Sequence, residues 1–413
     1  MLGILLLLLA LADPPPPPLP PPPLVPIYDL TGHALDRFRT GWDRALRKKG
    51  QLRVLFWGAS HTAADLWTGE LRRRWSTLLG EGGHGFVFPV KWNLGYRAQD
   101  LVLESSKGWQ VTRIKAEGAT EVLPLGIAGL VAHSSDPAEF ATVRCTAENT
   151  LGRSFDKLEV WLEAQPDGGE MRLDIDGHAH MLPTKGPRGN PIVRTFTLAD
   201  IPHEIRLQPA GNGNVGLYGV VVQRTQPGVV LDQLGIPGMR AEVQLHWRED
   251  VFSVLTARRR PDLVVLAYGT NDVGDEGEPI HKYLENWRKV LMQVRTAAPD
   301  ASCLIVGPTD RLMKEEKRTM PRTPEVIAAQ RKVAAEFRCG HWDPQAAMGG
   351  PSGPGLPGGM TLWNQLGLSA GDGVHLNRAG YERMAAMMDD ALRAAMVAEK
   401  VGKGVEKGGK KKR

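Results

Sequence analysis

Apolar residues follow two different periods along the chain, and the first change of period falls near residue 100. Residues 51–57 are mostly apolar and are followed by Gly58, which is typical of a buried strand that ends there. Residues 63–79 then carry apolar side chains at helical spacing, and Gly80 suits the position after a helix end. The pattern predicts a strand, a tight turn and a helix.

Between about residues 100 and 226 the pattern alternates with period two and is interrupted by turn residues. The clearest alternating segments are 157–163, 170–176, 204–208 and 215–223. Short strands at this spacing are typical of an antiparallel β-sandwich. We therefore predict a β-sandwich domain over 100–226.

Helical spacing returns after residue 226, between short apolar runs. The runs predict strands at 262–268, 303–307 and 337–343, and the spacing predicts helices at 280–294, 326–337 and from Asn377 to about 398. Strands that alternate with helices predict an α/β fold with a doubly wound, mainly parallel sheet. This domain is expected to comprise 27–99 and 227–398, with the β-sandwich inserted between the two parts.

The N-terminus resembles an export signal. Residues 2–11 are apolar, and Ala10, Leu11 and Ala12 suit a cleavage site, although no Lys or Arg precedes the run. We predict a signal peptide at 1–12, too short to span a bilayer, and a stiff proline-rich linker at 13–26. An exported protein is expected, whether periplasmic, cell-wall-associated or secreted.

The net charge of +5 is concentrated in the C-terminal segment 399–413, which holds seven basic and two acidic residues. The rest of the chain is formally neutral, which argues against a broad nucleic-acid-binding face. The segment is predicted to be a disordered tail, either simply solubilising or in contact with anionic envelope polymers.

Three cysteines occur, and none forms a C-x-x-C pair, so a zinc or redox motif is not indicated. Cys303 and Cys339 each open a short apolar segment late in the chain. If these segments are neighbouring parallel strands, the two residues are able to form a disulfide, but two separate buried thiols are at least as compatible with the sequence.

Polar residues of the types that act in catalysis lie after the predicted strands or directly before the last predicted helix. Ser60 follows the first strand, Asn271 follows the strand at 262–268, and Asp372 and His375 precede the last helix. Open α/β sheets bind ligands beyond the carboxyl ends of their strands. A nucleophile, an imidazole and a carboxylate are the groups that a serine hydrolase needs.

Four blocks in this order resemble the SGNH/GDSL hydrolases: Gly58-Ala-Ser-His-Thr62, Asp232-Gln-Leu-Gly-Ile-Pro-Gly-Met-Arg240, Gly269-Thr-Asn-Asp272 and Asp372-Gly-Val-His375. The resemblance implies a flavodoxin-like SGNH hydrolase fold and a triad of Ser60, Asp372 and His375. It also implies an oxyanion hole formed by the N–H of Ser60, the N–H of Gly238 and the side chain of Asn271. Neither a metal nor an organic cofactor is required by this chemistry.

The match has one departure and several open assignments. The family has Gly-Asp-Ser in the first block, and Ala59 stands in place of that aspartate, which is not the triad acid. Gly235 is an alternative to Gly238. His61 is not expected to be the base, and we expect it, with Trp363, to line the substrate site.

A β-sandwich between the first and second blocks is similar to bacterial peptidoglycan O-acetylesterases, in which a carbohydrate-binding-like module interrupts the hydrolase. The resemblance implies an exported serine esterase that removes O-acetyl groups from a polysaccharide, with peptidoglycan as the expected substrate. Activity is then expected to fall as His375 becomes protonated at acid pH.

Other interpretations remain open at this point. An acetyltransferase that passes the same acyl group to a polysaccharide hydroxyl requires the same residues. The alternative that is not an enzyme is a glycan-binding wall protein with this fold. Its one support is Ala59, which replaces the family's aspartate in the first block. Ser60 alone is typical of a helix N-cap, Asn271 of a turn, and His375 of a packed core histidine.

Overall fold

The structure is a computed structural model that describes residues 21–115, 120–146 and 151–409. The predicted signal peptide at 1–12 lies outside these residues, as do the first part of the linker and the last four residues of the tail. None of the described helices combines the length and the apolar character needed to cross a bilayer.

The helices of the described chain flank a parallel sheet. They are α1 Asp36–Leu46, α2 Ser60–Ala63, α3 Leu66–Leu79, α4 Glu249–Arg259, α5 Ile280–Ala297, α6 Thr323–Glu336, α7 Pro344–Ala347, α8 Gly359–Gln365 and α9 Arg378–Gly409. Two 3₁₀ turns, at Ala241–His246 and Asp272–Gly274, follow strands of the parallel sheet.

The strands belong to one parallel sheet, two larger antiparallel sheets and a short hairpin. They are β1 Gln51–Gly58, β2 Gly85–Val87, β3 Leu101–Ser105, β4 Gln110–Thr112, β5 Val131–Ser134, β6 Ala141–Cys145, β7 Phe155–Glu163, β8 Glu170–Ile175, β9 His178–Pro183, β10 Pro191–Ile201, β11 Glu204–Pro209, β12 Val215–Gln223, β13 Gly228–Gly235, β14 Leu263–Ala267, β15 Ser302–Val306, β16 Gly340–Trp342, β17 Ser352–Gly353 and β18 Leu356–Pro357.

The parallel sheet has the order β13-β1-β14-β15-β16, which places the first strand second, as in flavodoxin-like folds. Its five strands are buried on both faces because helices α1, α3 and α9 cover one side and α4, α5 and α6 cover the other. The predicted doubly wound α/β fold is confirmed.

The antiparallel sheets have the orders β10-β7-β12-β5-β4 and β3-β6-β11-β8-β9. Their inward side chains share one hydrophobic cluster with a face of the parallel sheet, so the β-rich region and the α/β region have a continuous core. Strand β2 was not predicted, yet it pairs with β12. This pairing places part of the antiparallel structure before residue 100.

The helix predicted at 63–79 is divided into α2 and α3. Asp65 adopts a left-handed conformation with φ of 51° and ends the first turn. The predicted last helix does begin after Asn377, whose side chain accepts a hydrogen bond from the N–H of Gly380 at 3.0 Å. It continues to Gly409 rather than ending near 398, and residues 399–409 of the predicted disordered tail belong to it.

Cys303 and Cys339 form a disulfide, which the sequence left open. Cys303 is the second residue of β15, and Cys339 directly precedes β16, the adjacent parallel strand. Cys145 is a buried free thiol.

Candidate active site

The first candidate block lies where β1 meets its two neighbours. Gly58, the last residue of β1, is in register with Gly235 of β13 and with Ala267 of β14. A Cβ atom at Gly58 would lie 2.1 Å from Oγ1 of Thr62, so the turn into α2 requires glycine there. Ser60 begins α2, and its N–H therefore has no acceptor within that turn.

Ser60, His375 and Asp372 form a continuous hydrogen-bonded series. Nε2 of His375 lies 2.8 Å from Oγ of Ser60, and Nδ1 of His375 lies 2.6 Å from Oδ2 of Asp372. The arrangement is that of a nucleophile, a base and a carboxylate that orients the base. The structure therefore brings together the three residues that the sequence singled out for the triad.

Asp372 is fixed by the backbone as well as by the imidazole. Its Oδ1 accepts hydrogen bonds from the N–H groups of Val374 at 2.9 Å and His375 at 2.7 Å. Partial burial alone would raise the pKa of this carboxyl, but the bonds from His375 and Val374 outweigh it and lower the pKa to about 2. Asp372 is consequently anionic over the whole range in which an imidazole titrates.

Asn271 and Gly238 lie on adjoining loops at the same edge of the sheet. The side-chain amide of Asn271 donates to the carbonyl oxygen of Met239 at 2.9 Å, which ties the loop after β14 to the loop after β13. A primary amide has a second N–H, so one donor remains. Gly238 is exposed with φ of 82°, and no atom lies within 4 Å of the position of a Cβ atom there.

Asp272, directly after Asn271, is buried, and its Oδ2 has no hydrogen-bond partner among the described residues. Burial raises its pKa to about 7. The side chain is thus much easier to protonate than an ordinary carboxyl. No local pattern marks this property, because an aspartate in a turn ordinarily hydrogen-bonds the backbone of that turn.

The two residues expected to line the substrate site are buried instead. His61 is 6% exposed, since its Nδ1 lies 2.8 Å from the hydroxyl of Tyr381 and its Nε2 lies 3.1 Å from Oγ1 of Thr309. Trp363 is 2% exposed, because α8 packs it into the cluster shared with α9 and the parallel sheet. Neither ring is available to stack on a substrate.

A buried ion-pair network holds the turn that follows Ser60. The guanidinium of Arg72 bonds both Asp65 and Asp100, and the N–H of Gln99 donates to Asp65 at 2.8 Å. Burial alone would raise the pKa of Asp100, but the charge of Arg72 lowers it to about 2. Sequence analysis missed this network, which ties α3 to the start of the antiparallel region.

An open cleft adjoins the triad on the side of Asp372. It has a volume of about 850 Å³. Its lining combines backbone, amide and charged groups from the loop after β15 and from α8, including Lys314, Thr361, Asn364 and Gln365. Apolar side chains of Leu312, Met313 and Pro354 complete the lining. A cleft of this size, with apolar surface and a few polar groups, can hold part of a sugar chain.

Comparisons with known proteins agree with this geometry. The sequence model of the GDSL-like lipase/acylhydrolase family matches residues 206–383, a stretch that contains Asn271, Asp372 and His375 but not Ser60. No curated protein matches the chain in sequence.

Among solved structures, a peptidoglycan O-acetylesterase matches with a TM-score of 0.71 and 24% identity, over 88% of this chain and 96% of that chain. The protein YXIM from Bacillus subtilis matches with a TM-score of 0.34 and 15% identity, over 76% and 99%. A family two carbohydrate esterase from Cellvibrio japonicus matches with a TM-score of 0.29 and 10% identity, over 72% and 97%. The first of these matches shows a shared fold over nearly the whole chain.

Proposed function

Because this chain belongs to the SGNH/GDSL hydrolases, a group of carboxylic ester hydrolases, we propose that it removes O-acetyl groups from an envelope polysaccharide through an acetyl-serine intermediate. The family resemblance predicted from the sequence is confirmed. The observation that carries the proposal is the hydrogen-bonded series from Ser60 through His375 to Asp372.

The proposed reaction begins when Oγ of Ser60 attacks the carbonyl carbon of the acetyl ester. His375 takes the hydroxyl proton, and Asp372 stabilises the imidazolium that forms. His375 then gives the proton to the sugar oxygen, which leaves as a free hydroxyl group. Water, deprotonated by His375, attacks the carbonyl carbon of acetyl-Ser60; the ester bond to Oγ breaks, acetate leaves, and His375 returns the proton to Oγ of Ser60.

The negative charge on the carbonyl oxygen requires donors near Ser60. The N–H of Ser60 and the free N–H of the Asn271 amide are proposed for this role, with the N–H of Gly238 as the third donor. Each donor of this kind typically lowers the barrier by about 3 kcal/mol. The hydrogen bond from Asn271 to Met239 supports the assignment, since it fixes the amide beside the glycine loop.

Peptidoglycan is proposed as the substrate, because the structure that matches over most of the chain is that of a peptidoglycan O-acetylesterase. Charge supports an acidic polymer. Three basic side chains, Lys91, Arg97 and Arg113, form no ion pair with an acidic residue in the described part of the chain, and Arg113 lies over the ring of Trp92 at 5.5 Å. We call this group the basic ledge.

The basic ledge lies close to the active site. The N–H of Arg97 donates to the carbonyl oxygen of Ala63, at the end of the turn that begins with Ser60, at 3.0 Å. Gly95 approaches Pro237, the neighbour of Gly238, since a Cβ atom there would lie 3.4 Å from Cγ of that proline. Carboxylates on the peptide stems of peptidoglycan would be attracted to these unpaired charges, whereas neutral xylan would not.

Export to an oxidising compartment is also proposed. The apolar run at residues 2–11 supports it, and so does the bond between Cys303 and Cys339, because disulfides are rare in reducing compartments. Fractionation of the host cell tests this point. Recovery of the protein from the cytoplasm with its N-terminus intact would contradict export.

The function is tested by measuring acetate release from O-acetylated peptidoglycan and from acetylated xylan, with wild-type protein and with Ser60→Ala. We expect release from peptidoglycan by wild type alone. Faster acetate release from xylan would support the esterase activity but would contradict peptidoglycan as the substrate. If wild type releases no more acetate than Ser60→Ala from either polymer or from an aryl acetate, the esterase proposal is wrong.

A further inference from the structure

A series of hydrogen bonds between buried side chains runs behind the active site. Oγ1 of Thr270 lies 3.1 Å from Oγ1 of Thr309, which lies 3.1 Å from Nε2 of His61. Nδ1 of His61 lies 2.8 Å from the hydroxyl of Tyr381. All four side chains are buried, and they come from four separate segments of the sequence. We call this series the buried chain.

Members of the buried chain lie next to residues that the proposed reaction uses. Thr270 precedes Asn271, and His61 follows Ser60. The hydroxyl oxygen of Tyr381 interacts with the backbone N–H of Leu376, the neighbour of His375. Three hydrogen bonds between side chains and this backbone interaction thus connect the loop of Asn271, the turn of Ser60 and the segment that carries His375.

We propose that His61, through Thr309 and Tyr381, is a positioning residue that holds Ser60, Asn271 and His375 in one reactive arrangement. The inference rests on the proposed function, because it assigns these three residues their catalytic roles. It gives His61 a role without contact with the substrate, in place of the substrate-lining role expected from the sequence.

The chemistry of a neutral imidazole suits this position. Burial, and then the charge of His375, lower the pKa of His61 to about 3, so the ring is neutral at the pH of any esterase assay. A neutral imidazole has one donor and one acceptor, which match the hydroxyls on its two sides. The two imidazole rings are 5.3 Å apart, and a neutral His61 does not repel the positive charge that forms on His375.

The backbone fixes one end of the series. The N–H of Thr309 donates to Oγ1 of Thr270 at 3.2 Å, which holds the two threonine hydroxyls side by side. In either tautomer of His61 one ring nitrogen donates and the other accepts, so both bonds to the ring can form. Replacing one hydroxyl leaves a buried neighbour without its partner.

The test uses two changes that each remove one hydroxyl and leave the shape nearly unchanged, Thr309→Val and Tyr381→Phe. The matched controls are Thr184→Val and Tyr218→Phe, which each remove a buried, hydrogen-bonded hydroxyl in the antiparallel region. With an aryl acetate as substrate, we expect kcat to fall about tenfold in each test variant while KM changes less than about twofold. The controls should match wild type, and thermal denaturation should verify that all four variants are folded.

A second series changes His61 itself. Asn replaces the Nδ1 side of the ring and Gln the Nε2 side, whereas Leu offers neither bond. We expect the order of kcat to be wild type, then Asn and Gln, then Leu, and we expect Thr309→Val to have little further effect in the His61→Leu background. If His61→Leu does not fold, Thr309→Val and Tyr381→Phe still test the positioning role.

The results separate the two proposals. An inactive wild-type protein would overturn the proposed function. An active wild type with unchanged kcat in Thr309→Val and Tyr381→Phe would overturn the positioning role alone. A rise in KM at constant kcat, or equal losses in the control variants, would also overturn it.

Discussion

Nε2 of His375 lies 2.8 Å from Oγ of Ser60, although 315 positions separate the two residues in the sequence. Two elements create this contact. Strand β1 of the parallel sheet ends at Gly58, just before Ser60. Asn377 caps the helix that begins just after His375. The nucleophile and the base are thus each fixed by secondary structure on one side, which favours a preorganised site.

Asp372→Asn is expected to reduce kcat about a thousandfold, because an amide can hold the imidazole in the wrong tautomer and cannot stabilise its positive charge. KM for an aryl acetate should change little. Asp390→Asn, on the exposed side of α9, is the matched control. Activity within about threefold of wild type in Asp372→Asn would mean that the carboxylate does not support the base.

The rate should fall as the pH is lowered from about 8 to 4, because the proposed base must be unprotonated to accept the hydroxyl proton. The pKa of Asp372 is lowered to about 2 and that of His61 to about 3, so both keep their charge state across this range. Burial raises the pKa of Asp272 to about 7, so this carboxyl also titrates in the range, and Asp272→Asn separates its contribution. In that variant log kcat/KM should decline with a slope of one. A flat profile would contradict an imidazole base.

Asn271→Ala should lower kcat about a hundredfold at nearly constant KM, since the amide is proposed to act on the oxyanion and not on the bound ester. Asn212→Ala, in a turn of the antiparallel region, is the control. Steady-state kinetics on an aryl acetate check this. A raised KM with unchanged kcat would instead make Asn271 a substrate-binding residue.

Arg97→Gln should raise KM for O-acetylated peptidoglycan about fivefold, the loss of about 1 kcal/mol expected for one exposed charge contact. The effect should shrink with added salt and should be absent on acetylated xylan. Arg172→Gln, on the antiparallel sheet, removes an exposed arginine elsewhere. Equal changes in KM on both polymers would show that the basic ledge does not distinguish substrates by their charge.

The sequence was sufficient for the α/β scaffold and for the residues that meet in the triad. The strands are apolar on both faces, the helices have a clear apolar stripe, and the strand ends are marked by Gly58 and by the G-T-N-D turn. Each of these signals is local. Their combination in one order identified the family, although the family model begins only at residue 206.

Features that depend on contacts between distant segments were not predicted. The break at Asp65 is stabilised by Arg72 and Asp100, and the pairing of β2 with β12 joins residues more than a hundred positions apart. His61 seemed available to substrate because it follows Ser60 directly. Its burial is set by Tyr381 and Thr309, and no local pattern connects those residues to the first block.

The most direct test of the central claim is to find the acetyl group on the enzyme during turnover. Wild-type protein is mixed with an aryl acetate, quenched in acid within the first turnovers, digested and examined by mass spectrometry. We predict an acetyl group on the peptide that contains Ser60, located on that serine, and its absence in Ser60→Ala. Acetate release at a normal rate with acetyl on another residue, or from a Ser60→Ala protein, would contradict the account.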